Sequence, residues 1–314
     1  MENREEQKVI IAGTGIMGAS IAQVYAQNGY NVTLYDISDE AIRRGKDLIT
    51  INQEIMVKEG MLTEEESKKL VERLTYTRDK MCFKDAFLVV ETIVEKLEIK
   101  RKFWSEISII TPDDAILATN TSGLRITDIA KAVYKSERFA GLHWLNPPHL
   151  IPLVEVIKGD DTSDETIQKL VELTEGINKK PVVINKDING FIINRMQFSI
   201  LREALHIVKS GAATIEDIDN VFKYGLGMRY ACLGPFETAD LGGLDTFNLI
   251  SSYLFADLSD EKNGSEELRK LVCEGSLGVK SGKGFYDYSN GRGEEVIKKR
   301  DSDFIKLARC LYEK

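Results

Sequence analysis

A glycine-rich turn near the start of the chain restricts its fold more than any other feature. Gly13, Gly15 and Gly18 follow a short apolar run at 9–12 and open a helix-periodic segment at 16–28. A strand, a turn of this kind and a helix form a dinucleotide-binding unit, in which backbone and helix N-terminus approach a pyrophosphate. The predicted cofactor-binding residues of this turn are Gly13, Thr14, Gly15, Ile16, Met17 and Gly18.

Asp36 indicates which dinucleotide is bound. It ends the next apolar run, at 32–35, and is followed by Ile37 and Ser38 rather than by an arginine. A carboxylate at this position accepts hydrogen bonds from the adenosine ribose and repels a 2′-phosphate, so NAD is favoured over NADP. A glycine turn in an unrelated α/β protein is the alternative.

Apolar runs alternate with helix-periodic segments as far as residue 186. This alternation predicts an α/β fold with a Rossmann-type, doubly wound and mostly parallel sheet, and leaves open whether the later strands keep the parallel direction. Two amphipathic segments, 39–58 and 63–74, predict an inserted helical hairpin with Gly60 at its bend. The further predicted strands cover 87–90, 115–118, 139–144, 153–157 and 181–184.

Strand-like alternation ends beyond Lys186, and helical periodicity continues. We therefore predict a Rossmann domain over 1–186, an all-α substrate and dimerisation domain over 187–290, and a helical tail over 291–314. Helices are expected at 191–209, from Thr214 with Asp217 as its capping partner, at 233–258 and at 265–274.

Composition excludes several classes of function. The net charge of −8 argues against a nucleic-acid partner. The charged N-terminus lacks a signal-peptide pattern and no apolar run is long enough to span a membrane, which predicts a cytoplasmic protein with no membrane contact. The 4 cysteines lie far apart without metal-ligand spacing, so we expect reduced thiols and no metal site.

His143 is the candidate general base among three histidines. It lies near the end of an apolar run, and Glu155 follows twelve residues later on the next one. A carboxylate on an adjacent strand would hold the tautomer of the imidazole and stabilise its protonated form. A purely structural His–Glu pair is the alternative. His206 is interpreted as an ordinary helix residue. The role of His149, six residues from His143, is left open, and lining the pocket is one alternative.

Several further motifs, in order along residues 8–288, resemble the L-3-hydroxyacyl-CoA dehydrogenase family. They are NTS at 120–122, GLHWLNP at 141–147, LVEVI at 153–157, GFIINR at 190–195, GPFE at 234–237 and KSGKGFY at 280–286. The resemblance implies oxidation of a 3-hydroxyl group to a ketone by NAD, or the reverse reaction, in a homodimer formed through the C-terminal helical domain.

The resemblance also implies roles for particular side chains. His143 is the general base and Glu155 its orienting partner. Ser122 and Asn194 hydrogen-bond the substrate oxygen, although each has a structural alternative, as a helix cap and as a solvent-facing residue. Glu95 and Lys100 match family residues near NAD, as does Ser122.

The chain departs from acyl-CoA members where they contact coenzyme A. Asn52 and Glu59 occupy the positions of a serine and a lysine, and Lys58 is the nearest substitute cation. The turn NPPH at 146–149 and the loop 225–231 are more similar to relatives acting on free acids, namely the λ-crystallin/L-gulonate 3-dehydrogenase, carnitine dehydrogenase and pyridine-carboxylate dehydrogenase branches. Arg229 would then clamp a substrate carboxylate.

Three hypotheses remain. The first is an NAD-dependent dehydrogenase of a short-chain 3-hydroxyacyl-CoA such as 3-hydroxybutyryl-CoA. The second is the same chemistry on a small free hydroxy acid or a related carboxylate. The third is a catalytically silent, crystallin-like NAD-binding protein, which the presence of all four candidate catalytic residues disfavours.

Overall fold

An eight-stranded sheet organises the first part of the chain in the computed structural model, which describes residues 4–312. The strands, in chain order, are β1 (Lys8–Ala12), β2 (Asn31–Tyr35), β3 (Leu74–Thr77), β4 (Leu88–Glu91), β5 (Ile116–Thr119), β6 (Phe139–Trp144), β7 (Leu153–Ile157) and β8 (Lys180–Ile184). Their order across the sheet is β3-β2-β1-β4-β5-β6-β7-β8. This topology confirms the predicted doubly wound sheet.

One pair of strands departs from the parallel direction. β6 and β7 are antiparallel, while every other neighbouring pair is parallel. The register of this pair places His143 directly opposite Glu155. Because β1, β4, β5 and β6 run in the same direction, their carboxyl ends meet at one edge of the sheet, where ligands of doubly wound folds bind.

Helices cover both faces of this sheet. They are α1 (Ile16–Gln27), α2 (Asp39–Lys58), α3 (Glu64–Glu72), α4 (Leu97–Ile110), α5 (Ile126–Ala130) and α6 (Asp164–Gly176). α2 and α3 form the predicted hairpin, with Gly60 at a φ of +66° in its bend and a capping box between Thr63 and Glu66.

Alternate strand residues supply two cores, one on each face. Val9 and Ile11 belong to one core, together with residues of α1, α2 and α3, whereas Ile10 and Ala12 belong to the other, together with Trp104 of α4. This period of two is what a strand buried on both faces requires, and it explains why β1 reads as a continuous apolar run.

The chain separates into two compact units between Asn194 and Arg195. Elements after β8 are helical: α7 (Ile193–Lys209), α8 (Ile215–Val221), α9 (Gly227–Tyr230), α10 (Pro235–Gly242), α11 (Leu244–Asp257), α12 (Glu266–Cys273) and α13 (Arg292–Tyr312). Thr214 and Asp217 form the predicted capping box of α8. α13 accounts for most of the tail predicted at 291–314, whose last two residues lie outside the described range.

Three elements differ from expectation. The stretch 225–231, expected to be a loop, is helical as far as Tyr230 and contains α9. The helix predicted over 233–258 is broken into α10 and α11 at Gly243, whose φ of +89° interrupts the helix. β3 was not predicted, because it is an edge strand in which only Leu74 is buried and the other residues alternate weakly. Within residues 4–312, no helix is long and apolar enough to cross a membrane.

Candidate active site

The glycine turn joins β1 to α1 with almost no space for side chains at two of its positions. A Cβ on Gly13 would lie 2.8 Å from the Thr92 hydroxyl, and one on Gly18 would lie 1.9 Å from the Gly13 carbonyl oxygen. Gly13 also has a φ of +101°, in the region that favours glycine. These two glycines therefore keep the turn tight and the helix close to the strand.

Gly15 is glycine for a different reason. A Cβ built there would meet nothing within 4 Å, so this position faces open space. No side chain caps the N-terminus of α1, where Gly15 is the capping residue. The backbone N–H groups at the start of a helix bind anions when they are uncapped, so the opening beside Gly15 fits a pyrophosphate.

Asp36 lies beside this opening, just after the end of β2. Its Oδ2 accepts hydrogen bonds from the Thr14 backbone N–H at 2.9 Å and from the Thr14 hydroxyl at 3.0 Å. Its Oδ1 accepts from the Ser38 N–H at 3.2 Å. The partly exposed carboxylate is thus oriented toward the turn, where the ribose of a dinucleotide would meet it.

His143 and Glu155 form a buried pair at the end of β6 and the start of β7. The distance from His143 Nδ1 to Glu155 Oε2 is 2.8 Å, and the residues are 3% and 1% exposed. Because an ionised carboxylate only accepts, Nδ1 carries the proton and Nε2 is left as the basic nitrogen. The arrangement has the chemistry of a general base with an orienting partner.

The second oxygen of Glu155 anchors the start of α7. Oε1 accepts hydrogen bonds from the backbone N–H of Ile192 at 2.9 Å and of Ile193 at 2.8 Å. Phe191 is buried, and its ring centroid lies 5.4 Å from that of His143. One carboxylate therefore fixes both the imidazole and the first turn of α7.

That first turn brings Asn194 to the loop after β5. The Asn194 side-chain amide donates to the backbone carbonyl of Ser122 at 2.7 Å. Ser122 itself is exposed and Asn194 partly exposed, so both present polar groups at the surface of the unit. The four predicted catalytic residues are thus connected. His143 bonds to Glu155, Glu155 accepts from the backbone of Ile193, and the next residue, Asn194, donates to Ser122.

Glu95 holds the loop of Ser122 from the other side. Its Oε1 accepts from the Thr121 hydroxyl at 2.5 Å and from the Ser122 and Gly123 N–H groups at 2.9 and 3.2 Å. Burial raises the pKa of Glu95, but these hydrogen bonds and the charge of Lys100 outweigh it and lower the pKa below its usual value.

Lys100 reaches this network from inside the protein. It is 0% exposed, and its ammonium lies 2.5 Å from Glu91 Oε1 and 3.4 Å from Glu95 Oε2. Glu91 is equally buried and also accepts from the Trp104 indole and the Thr119 hydroxyl. Lys100 therefore positions Glu95 in this structure, and a direct contact between Lys100 and a cofactor would need a rearrangement.

The predicted substrate-binding residues lie on α2 and α9. Asn52 lies in α2 and is 7% exposed, with its Nδ2 lacking a hydrogen-bond partner among the described residues. Lys58, at the end of α2, is exposed. Arg229 is exposed on α9 in the second unit, and His206 is exposed on α7.

Sequence reasoning missed three polar groups that shape the site. Glu91 ends β4, whose other residues are apolar. A charged residue at the end of an apolar run was the sequence signal that could have identified it. Asn120 Oδ1 accepts the Trp144 N–H at 2.8 Å and so links the loop after β5 to the end of β6. Lys179 donates to backbone carbonyls of the turn after β6. The sequence gives no indication of this contact, because any residue type can supply a backbone carbonyl.

Comparison with known proteins places the chain in a family. Residues 8–188 match the NAD binding domain of 3-hydroxyacyl-CoA dehydrogenase, and residues 190–288 match its C-terminal domain. The chain belongs to the 3-hydroxyacyl-CoA dehydrogenase family. It is an NAD-dependent oxidoreductase of this type, acting on a CH–OH group, and its cofactor is NAD.

Two groups of relatives are similar to the chain. A probable 3-hydroxybutyryl-CoA dehydrogenase of Deinococcus radiodurans is 41% identical over 88% of this chain and 99% of its own length. A 5-formyl-3-hydroxy-2-methylpyridine 4-carboxylate 5-dehydrogenase of Mesorhizobium japonicum is 31% identical over 97% of this chain and 98% of its own.

Solved structures reflect the same division. The structure of a 5-formyl-3-hydroxy-2-methylpyridine 4-carboxylic acid 5-dehydrogenase, described as an NAD⁺-dependent dismutase, has a TM-score of 0.91 at 31% identity, with coverage of 97% of this chain and 98% of the other. The (S)-3-hydroxybutyryl-CoA dehydrogenase from Ralstonia eutropha has a TM-score of 0.75 at 33% identity, over 90% of this chain and 99% of its own.

Within residues 4–312, no group of three or more His, Cys, Asp or Glu side chains is arranged to hold a metal ion. None of the four cysteines forms a disulfide, and only Cys82 is partly buried.

Gly15→Ala tests the assignment of the glycine turn. Because Gly15 has a φ of −69° and open space around its Cβ, the variant should fold with an unchanged melting temperature. The added methyl group would prevent close approach of the pyrophosphate, so we expect the Kd for NADH, from fluorescence titration, to rise about tenfold or more. Gly264→Ala, which also has open space in the second unit, is the matched control. Equal affinity in both variants would contradict the assignment.

Proposed function

We propose that the protein interconverts a short-chain 3-hydroxyacyl-CoA, such as 3-hydroxybutyryl-CoA, and the corresponding 3-ketoacyl-CoA, with His143 as the general base. The observation that carries the proposal is the buried 2.8 Å pair of His143 and Glu155 at the edge of the sheet where the parallel strands end. The 41% identity to a probable 3-hydroxybutyryl-CoA dehydrogenase supports the substrate.

The proposed reaction follows from the hydrogen bonds of this pair. His143 Nε2 removes the proton of the 3-hydroxyl group as the carbon loses a hydride. Bound NAD supplies the hydride acceptor. The carboxylate of Glu155 stabilises the imidazolium that forms, and in the reverse direction the imidazolium returns its proton to the ketone oxygen.

Ser122 and Asn194 would position the reacting oxygen. The Asn194 amide donates to the Ser122 backbone carbonyl at 2.7 Å, which supports a joint role for the two residues, on elements that Glu95 and Glu155 hold in place. Fixed polar groups of this kind stabilise the charge that develops on the oxygen without reorganising during the reaction. The residues proposed to hold the dinucleotide are those of the glycine turn with Asp36, supported by Glu95.

A second candidate is a dehydrogenase of a small free carboxylate. It is favoured by the similarity to the solved pyridine-carboxylate dehydrogenase, which has a TM-score of 0.91 and covers 97% of this chain. That coverage extends past residue 288, where the match to the family's C-terminal domain ends. The burial of Asn52 also removes one proposed contact for coenzyme A. Arg229 would supply the carboxylate clamp in this case.

A substrate panel distinguishes the two candidates. NADH oxidation with acetoacetyl-CoA is expected if the substrate is an acyl-CoA, and NAD reduction with free 3-hydroxy acids or hydroxymethyl pyridine carboxylates if it is a free acid. Turnover of a free acid without turnover of acetoacetyl-CoA overturns the first proposal. In that case Arg229→Ala should raise the KM for the acid about tenfold or more by removing a charged hydrogen-bonding partner, and an unchanged KM refutes the clamp.

His143→Gln tests the proposed base. Loss of a general base lowers kcat by roughly 10²–10⁴-fold while leaving NADH binding unchanged. His206→Gln is the matched control, because His206 is exposed on α7 and has no proposed role in the reaction. Equal activity of both variants would refute the assignment of the base. Absence of turnover in the wild type would instead support the hypothesis of a catalytically silent NAD-binding protein.

We also propose that the protein is a homodimer formed through its helical unit. Neither α7 nor α11 has a single buried residue in the isolated chain. Large apolar side chains are exposed on α11, among them Leu249, Tyr253 and Phe255. An apolar surface of this extent marks an interface with another protein chain, and symmetric homodimers are the commonest solution.

Sedimentation tests the dimer. The wild-type chain should sediment with twice its monomer mass, and Phe255→Asp should shift it toward the monomer because a charge would be buried in the interface. Ile109→Asp, a similar exposed apolar residue on α4, is the control and should leave the dimer intact. A wild-type monomer at micromolar concentration would refute the proposal.

A further inference from the structure

Lys179 is buried without a carboxylate partner. It is 7% exposed, and among the described residues no acidic group lies within ion-pair distance of its ammonium. Its Nζ instead donates to the backbone carbonyl of Pro148 at 2.7 Å and to that of Ile151 at 2.8 Å. Buried lysines are rare unless paired, as Lys100 is with Glu91, so this arrangement needs an explanation.

The two carbonyls belong to the turn that joins the catalytic strands. Residues 145–152 connect β6, which carries His143, to β7, which carries Glu155. Lys179 precedes β8, whose first residue pairs with Leu153 at the start of β7. The turn and the lysine therefore lie at the same edge of the sheet as His143, where the substrate of a doubly wound fold binds.

The turn has few internal hydrogen bonds with which to hold its shape. The N–H groups of Leu150 and Ile151 both donate to the Pro147 carbonyl, at 3.0 Å each. The prolines at 147, 148 and 152 have no N–H to donate. Since buried carbonyl groups require donors, the ammonium of Lys179 supplies the bonds that fix the second half of the turn.

The other end of the turn is already fixed. Asn120 binds the backbone of Trp144, and the Trp144 ring is buried with the Lys179 ammonium 5.9 Å from its centroid. Asn146 is exposed and His149 is partly exposed on the turn. Hydrogen bonds thus hold both ends of the turn that follows β6 and carries these two polar side chains.

We propose that Lys179 is a positioning residue that fixes the 145–152 turn as one wall of the substrate site and thereby sets substrate affinity. This inference rests on the proposed role of His143 at the same edge. Lys179 does not touch the reacting atoms, so its contribution is to binding of the substrate rather than to proton transfer.

The electrostatics of Lys179 are consistent with this role. Desolvation lowers its pKa from 10.5 to about 8, which means that burial of the cation costs stability. Below a pH of about 8 the folded chain still retains the cation at this position. The neutral amine still has enough N–H groups for two carbonyls, which means that the turn keeps its donor in either ionisation state.

Three variants test the proposal. Lys179→Met removes the donor, Lys179→Arg restores a buried cationic donor, and Lys180→Met is the matched control, because Lys180 is the exposed neighbour. For Lys179→Met we expect KM for the substrate to rise about tenfold, kcat to change less than about threefold, and the Kd for NADH to stay the same. Lys179→Arg should recover most of the KM, and Lys180→Met should match the wild type.

Hydrogen–deuterium exchange of residues 145–152 gives a readout independent of activity. Exchange should be faster in Lys179→Met than in the wild type and in Lys180→Met, with unchanged exchange over 8–36. If wild-type protein turns over no substrate, the proposed function fails, while the exchange result still decides whether Lys179 fixes the turn. Unchanged exchange, or an unchanged KM in an active enzyme, overturns the proposal. Should Lys179→Met not fold, Lys179→Leu, which also lacks a donor, replaces it with the same expected results.

Discussion

The carboxylate of Glu155 is the interaction on which the rest of the site depends. One oxygen holds His143, and the other accepts the N–H groups of Ile192 and Ile193. A carboxylate that is 1% exposed is stable only when hydrogen-bond donors surround it, and here the donors come from β6 and from the start of α7. Asn194 follows directly and donates to the Ser122 carbonyl, so the geometry of the candidate site depends on the hydrogen bonds of one buried carboxylate.

Other buried charges organise the loops at the same edge of the sheet. Glu91 and Lys100 are inaccessible to solvent and pair with each other, and Lys100 orients Glu95 under the loop of Ser122. Lys179 holds the turn after His143, because its ammonium donates to two backbone carbonyl groups of that turn rather than to a carboxylate. Loops built in this way are held by directional bonds, whereas apolar packing alone would leave their backbone free to shift.

Most elements of the sheet and its helices were predictable, because their signals are local. The apolar run of β1, the glycine turn and the capping box at Thr214 each depend on residues close in sequence. The break at Gly243 was missed, because apolar periodicity continues across it. Partners distant in sequence, such as Lys179 with Pro148 or Glu91 with Trp104, were also missed, because single-sequence patterns carry no information about contacts between elements.

By itself, the sequence determined that a strand, a glycine turn and a helix form an NAD-binding unit that ends at Asp36, and that His143 and Glu155 lie on consecutive strands. These conclusions rest on backbone geometry, which local residue types control. Only the tertiary structure decided that the two strands run antiparallel with His143 opposite Glu155, and that Lys100 and Lys179 are buried. Burial and pairing of charges depend on how distant segments pack, and packing is set by the whole fold.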